Sequence, residues 1–236
     1  AAFTPFRSKK LADMLFKTSV LDGRYLKEII HRMAEKAMRH NIFLEPRVSI
    51  YARSHGEWEE LAQWFDSAKP QHRHVLFAVQ CPRVYHVWRK ANAIQTFADL
   101  LTNFFGPMVE ATKSPEKHPA LARLLAQISC IDTVDNEATE DEFFCSALPP
   151  PTKYTASANP PYSYYTIYFW YNLRGLNALR EAKGLNTFQL RPHAGEAGPV
   201  HHLASTFLFA QGISHGINLE HQPVLQYLYY MAQVPI

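Results

Sequence analysis

Residues Thr187–Gly198 read T-F-Q-L-R-P-H-A-G-E-A-G. A short apolar run leads His193 into a glycine-containing loop, and Glu196 follows three residues later. A histidine and a carboxylate presented together at a strand end suit metal-assisted hydrolysis. The imidazole can hold a divalent ion while the acid moves a proton on a substrate beside it. A second histidine of the same style, His215, lies one connection downstream in G-I-S-H-G-I-N-L.

Upstream of this tract, strand patterns alternate with helical ones. Strands are expected at Arg47–Ala52, Val75–Gln80, Ile128–Ile131 and Thr187–Leu190, with a brief one ending near Ser214 and the start of another at Val234–Ile236. Val75–Gln80 is almost wholly apolar, which suits burial on both faces of a parallel sheet. Apolar spacing predicts two helices within Lys10–His40, broken at Asp22-Gly23. Further helices are expected at Glu57–Phe65 (boxed from Ser54 by Glu57), Ala91–Glu110 (broken at Gly106-Pro107), Ala120–Ala126, Tyr162–Lys183, His201–Gln211 and Leu225–Ala232. The proline-rich Phe143–Pro161 reads as a surface excursion. With no internal repeat or flexible linker, one domain over residues 1–236 is the default.

This order argues for an α/β fold with a parallel sheet, either open and doubly wound or closed into a TIM-type (β/α)8 barrel. No G-x-G-x-x-G follows the first strand and no G-x-x-x-x-G-K-[ST] occurs, which removes the usual phosphate cradle of the open sheet. Polar residues instead stand at strand exits: Arg53, then Asp132 and Asp135, then His193 and Glu196, then His215. Side chains converging from several strand ends are how barrel enzymes build a site, and they favour the barrel.

Composition excludes several classes. The 236 residues are 47% hydrophobic and 19% charged with a net charge of +3, too little and too scattered for a nucleic-acid or anionic-membrane surface. No apolar run approaches the roughly 20 residues of a spanning helix, and nothing at the start resembles a signal peptide. Cys81, Cys130 and Cys145 are odd in number and lack a C-x-x-C, so reduced thiols in the cytoplasm are expected.

Plain structural roles compete for each of these residues. His193 or His215 alone could order a turn, and Glu196 could offset the dipole of the following helix. Asp132 and Asp135 suit capping or loop-ordering as well as substrate binding. Neighbours on a helix point about 100 degrees apart, so His201-His202 is read as structural. His72-Arg73-His74 precedes its strand, at the end opposite His193, and is rejected as a ligand pair.

Several tracts together resemble the catalytic domain of the AMP deaminase family, within the metal-dependent amidohydrolases. They are R-V-S-I-Y-A-R-S at Arg47–Ser54, V-Q-C-P-R-V-Y at Val79–Tyr85, D-T-V-D-N-E at Asp132–Glu137, N-P-P-Y-S-Y-Y at Asn159–Tyr165, L-R-P-H-A-G-E-A-G at Leu190–Gly198, I-S-H-G-I-N-L at Ile213–Leu219 and P-V-L-Q-Y-L-Y-Y at Pro223–Tyr230. H-A-G-E alone is shared with adenosine deaminases; the surrounding tracts favour the nucleotide enzyme.

The resemblance implies a TIM-type barrel of which this chain holds strands two to six and the start of the seventh. It implies one zinc ion with His193 as a ligand, Glu196 contacting the purine and protonating N1, and His215 accepting a proton from the metal-bound water. It also implies AMP as substrate, IMP and ammonia as products, and a homo-oligomer. The family's H-x-H zinc pair is expected before Ala1 and its aspartate pair beyond Ile236. The phosphate-binding lysine and tyrosine are not found around Ala2 and Phe3; Lys17 and Arg24 are read as solvated. Ala194 stands for a commoner cysteine or serine and Ala52 for a glycine. The 236 residues alone are therefore expected to be an inactive fragment of a deaminase. A complete, non-catalytic barrel remnant that binds a nucleotide or partner, and an adenosine or adenine deaminase, are the alternatives.

Overall fold

The computed structural model describes residues 21, 23–68, 74–139 and 148–236. The first expected helix, His72, Arg73, Lys17, Cys145 and the opening of the proline-rich excursion lie outside them.

Four parallel strands, β1 (Arg47–Ser49), β2 (Phe77–Pro82), β3 (Ile128–Val134) and β4 (Gln189–Leu190), lie side by side in chain order. The register runs Arg47–Ala78, Ala78–Cys130 and Cys130–Gln189. A second parallel pair follows, β5 (His193–Ala194) against β6 (Ser214–His215). Among the described residues the strand order shows no reversal of the doubly wound kind, which is consistent with a TIM-type arc.

β4 and β5 are separated by Pro192, which has no N–H to give the ladder. Arg191 still donates its N–H to the Ile131 carbonyl (2.8 Å), and the Pro192 carbonyl accepts from Ser214 (3.0 Å). The chain thus leaves β3 on one side and takes up β6 on the other. His193 is consequently a strand residue rather than the first residue of a loop. Beyond β6, Ile213 donates to the Pro235 carbonyl (2.9 Å), so the segment expected to begin a strand does run alongside, though only Pro235 bonds there.

The connections are helical: α1 (Arg24–Arg39), α2 (Glu57–Ala68), α3 (Tyr85–Lys90), α4 (Phe97–Lys113), α5 (Pro119–Leu125), α6 (Tyr162–Glu181), α7 (His201–Phe209) and α8 (Pro223–Ala232), with 3-10 turns at Pro151–Lys153 and Ile217–His221. In α1 the buried stripe is Ile30, Ala34 and Ala37, while Ile29 and Met33, which share the apolar spacing behind the helix expectation, are exposed.

The break expected at Gly106-Pro107 does not occur; α4 runs through it. The interruption falls earlier, between α3 and α4. There Thr96 Oγ1 accepts from the Asp99 N–H (3.2 Å) and the Asp99 carboxylate accepts from the Thr96 N–H (2.8 Å), a reciprocal cap that starts a new helix. Burial of Phe104, Phe105, Pro107 and Met108 outweighs the one backbone bond that proline forfeits.

The expected cap of α2 is also replaced. The Glu57 carboxylate turns back and accepts the N–H groups of Tyr51 (2.8 Å), Ala52 (3.1 Å) and Arg53 (3.0 Å). That curl, with Ala52 at φ 56°, ends β1 at Ser49 instead of Ala52.

The main apolar cluster fills the space between β1–β4 and the helices α2, α4, α5 and α6, with Trp58, Phe65, Phe77, Phe97, Phe104 and Phe169 among its members. A smaller cluster of Tyr162, Ala194, Leu203, Ile213, Leu219 and Tyr229 lies against β5, β6, α7 and α8.

Candidate active site

At the carboxyl end of β3 the apolar alternation is interrupted by Asp132, whose side chain is only 1% exposed. A carboxylate taken out of water needs hydrogen bonds to its oxygens, and here both oxygens have them. Its Oδ2 accepts from Gln80 Nε2 of β2 (3.0 Å) and from Arg47 Nε of β1 (3.3 Å). Its Oδ1 accepts from Nδ1 of His193 on β5 (2.9 Å). Four strands are thus tied through one carboxylate. The His193 ring is held in the tautomer that leaves Nε2 as the nitrogen free to act as a ligand. A carboxylate behind a ligating histidine is the usual second support of a metal-binding imidazole.

The neighbouring contacts fix the same ring and its partner. Tyr162 Oη donates to the His193 carbonyl (2.7 Å), and Arg47 Nη2 donates to Ser214 Oγ (2.8 Å), one residue before His215. The rings of His193 and His215 stand edge to face with centroids 4.9 Å apart. His215 adopts φ 85°, a left-handed conformation that a residue with a Cβ reaches only at a cost and that clusters at functional sites. Its Nε2 lies 3.6 Å from Glu196 Oε2.

Glu196 is carried by the Gly195–Gly198 turn, and the glycines there are required. A Cβ on Gly198 (φ 73°) would sit 1.7 Å from the Glu137 carbonyl oxygen, and one on Gly195 (φ 81°) 2.8 Å from Leu203. Glu137 Oε2 accepts the Glu196 N–H (3.0 Å). Glu137, Glu196 and His215 each offer a ligand atom within 4.8 Å of the others. Burial lifts the Glu137 carboxyl above its ordinary value; the Glu196 and Gly195 amides, with His215 nearby, pull the other way.

The sequence-predicted trio is therefore brought together. His193 and His215 line a cavity of about 410 Å³ along with Arg47, Arg191, Ser214 and Ile236. Glu196, with its side chain 59% exposed, reaches His215 from outside that lining. Arg53 is not part of the group: it sits over the Trp88 ring at 5.8 Å. Asp135 is a loop-ordering residue, paired with Arg83, whose Nη2 donates to the Pro160 carbonyl (2.9 Å). The structural reading of His202 holds, since it is buried and stacked on Tyr162 at 4.0 Å. Cys81 and Cys130 are free and buried, and burial pushes the Cys81 thiol up to about 12, which leaves it unreactive.

Sequence reasoning missed the partner of His193. The sequence places Asp132 at the exit of Ile128–Ile131, as a capping or loop-ordering group or a substrate ligand, whereas β3 runs on to Val134 and buries it. Glu137 carried no sign of its partner. It follows the strand in a polar stretch, and only the fold brings it to Glu196.

What this arrangement offers is a carboxylate-backed imidazole, a second imidazole in contact with it and an acid within reach. The sequence model of AMP deaminase matches residues 1–236. AMP deaminase 3 of Rattus norvegicus is 40% identical over 237 residues, covering 99% of this chain and 31% of that protein. AMP deaminase 1 of Mus musculus (40% over 240 residues; 99% and 32%) and AMP deaminase of Saccharomyces cerevisiae (40% over 238 residues; 99% and 29%) are similar to the same extent. The chain spans about a third of the length of these curated relatives. With its whole length matched in this way, the chain belongs to the AMP deaminase family.

Proposed function

We propose that the site deaminates AMP to IMP and ammonia in the protein that carries these residues, and that the arc of strands is part of one (β/α)8 barrel domain. The observation that carries the reading is the bond from His193 Nδ1 to buried Asp132, with His215 and Glu196 gathered beside it. Family membership and relatives named for AMP support the choice of substrate.

A carboxylate-backed imidazole is a donor of the kind zinc takes, and it supplies one ligand of a site. His193 would hold the ion through Nε2, because Nδ1 is committed to Asp132. When bound, zinc supplies Lewis acidity that brings water ionisation toward neutral pH. His215 accepts the proton of the water that attacks C6 of the adenine ring, and Glu196 delivers a proton to N1. The ring thus absorbs the electron pair as the new C–O bond forms. The proton held by His215 then passes to the exocyclic nitrogen, ammonia leaves with the C–N bond pair, and the C6 hydroxyl gives its proton back to Glu196, leaving the 6-oxo purine. One imidazole of this kind falls short of the usual three protein ligands, so the 236 residues by themselves should hold zinc weakly and not turn over AMP.

The test is ammonia release and IMP formation by the full gene product, with adenosine and adenine as competing substrates and zinc content measured alongside. Turnover of AMP that is lost in His193→Ala together with zinc supports the reading. Preference for adenosine, or stoichiometric zinc and deamination by the 236 residues alone, contradicts the corresponding part of it.

A further inference from the structure

Asp132 and Glu137 stand five residues apart, and each takes hold of one member of the His193–Glu196 pair. Asp132 bonds the His193 ring (2.9 Å) and Glu137 the Glu196 backbone amide (3.0 Å). The second contact is more than a single bond. The Glu137 carbonyl oxygen lies where a Cβ of Gly198 would be, at 1.7 Å, so both the side chain and the main chain of Glu137 seat the turn that carries Glu196. Glu137 is 3% exposed, and its Oε1 is buried without a hydrogen-bond partner. An acid buried with one oxygen unsatisfied costs the fold free energy, so the feature to explain is what its other oxygen holds.

We propose that Glu137 is a positioning residue for the deamination chemistry, clamping the Gly195–Glu196 main chain so that the Glu196 carboxyl stands at a fixed distance from His193 and His215. This rests on the proposed role of Glu196 as the proton donor. The clamp acts through an accepted hydrogen bond, so an amide oxygen can stand in for the carboxylate. Without it the turn keeps its glycines but loses its seat, and small misplacements of a catalytic group are expensive in rate.

The test uses the full gene product and two variants, Glu137→Ala and Glu137→Gln. Glu137→Ala is expected to lower kcat on AMP about 100-fold with KM changed less than about threefold. Glu137→Gln is expected to restore kcat to within about fivefold of the parent, because its Oε1 still accepts the Glu196 amide. Amide hydrogen exchange gives a readout independent of turnover: the Glu196 N–H should exchange slowly in the parent protein and at least about tenfold faster in Glu137→Ala.

A kcat within threefold of the parent in Glu137→Ala, or equal damage from alanine and glutamine, overturns the proposal. So does a Glu196 amide that exchanges in the parent as fast as an exposed loop amide, a result that does not depend on either variant folding. Absence of AMP turnover in the parent protein removes the catalytic reading instead. In that event, a slow Glu196 amide that quickens in Glu137→Ala still establishes the clamp, and an unchanged rate refutes it.

Discussion

The two apolar clusters are built on different principles. The larger one, behind β1–β4, is held by volume: Phe104 packs edge-on against Trp58 (5.5 Å) and Phe105 (5.0 Å) and tilted against Phe169 (5.3 Å). The smaller one, under β5 and β6, leans on polar bonds. Tyr229 Oη donates to the Leu203 carbonyl (2.9 Å) and is bonded to Thr206 Oγ1 (2.7 Å), while Tyr162 Oη reaches the His193 carbonyl. Its surroundings are open, with Ile217, Tyr230 and Met231 mostly exposed. The catalytic candidates straddle the seam, Asp132 on a strand of the first cluster and His193 and His215 on strands of the second. Bulk packing supplies rigidity on one side; the other supplies direction, since hydrogen bonds fix where an atom points and apolar contacts do not.

That contrast ranks the effects of substitution. Phe104→Ala removes a fully buried ring from the larger cluster and should lower unfolding free energy by about 3–5 kcal/mol, read from denaturant melts. A loss below about 1 kcal/mol would mean the cluster is not held by volume. Asp132→Asn lies on the seam. It keeps the size of the side chain but loses the charge that faces Arg47 and orients His193. On the proposal that His193 holds zinc, zinc affinity of the full gene product should fall about 10–100-fold, measured by chelator competition, and unchanged affinity would detach Asp132 from that proposed role. Tyr229→Phe in the smaller cluster keeps the ring and forfeits the hydroxyl bonds, a loss of about 1 kcal/mol. If the variant melts at the parent's temperature, the smaller cluster is held by volume as well.

The same division explains what could be read from residues in a row. Alternating elements, a near-continuous apolar β2 and the helix at Tyr162–Glu181 carry local signals, and the structure has them. The misplaced break at Gly106-Pro107 is a case of local preference overruled: Pro107 is buried along with Phe104, Phe105 and Met108, and its local preference does not reveal that burial. The early end of β1 is another, because Glu57 had a local capping role available and was drawn to the Tyr51–Arg53 amides instead. His193, Glu196 and His215 were recognisable since each sits beside glycine or in a motif of known chemistry. Asp132 and Glu137 support them across about sixty residues of chain, and hydrogen bonds over that separation leave no mark on sequence spacing.

The smallest effect concerns the charge that the seam tolerates. Burial lifts the folded-state pKa of Glu137 above its ordinary 4.5, with Asp135 adding to the rise and the Glu196 and Gly195 amides and His215 opposing it. For a carboxyl whose folded pKa is raised, the folded state keeps the proton longer than the unfolded one. Its stabilising contribution is then complete below the unfolded value and is lost as pH climbs through the folded value. Glu137→Gln carries no charge at any pH. Its melting temperature should therefore match the parent's most closely near pH 4 and gain on it steadily toward pH 7, with His215 and Glu196 intact in both proteins. A gap that stays flat or closes over that window would show that the amide bonds and His215 outweigh burial. Glu137 would then stabilise the seam as a carboxylate rather than being tolerated there for the turn it holds.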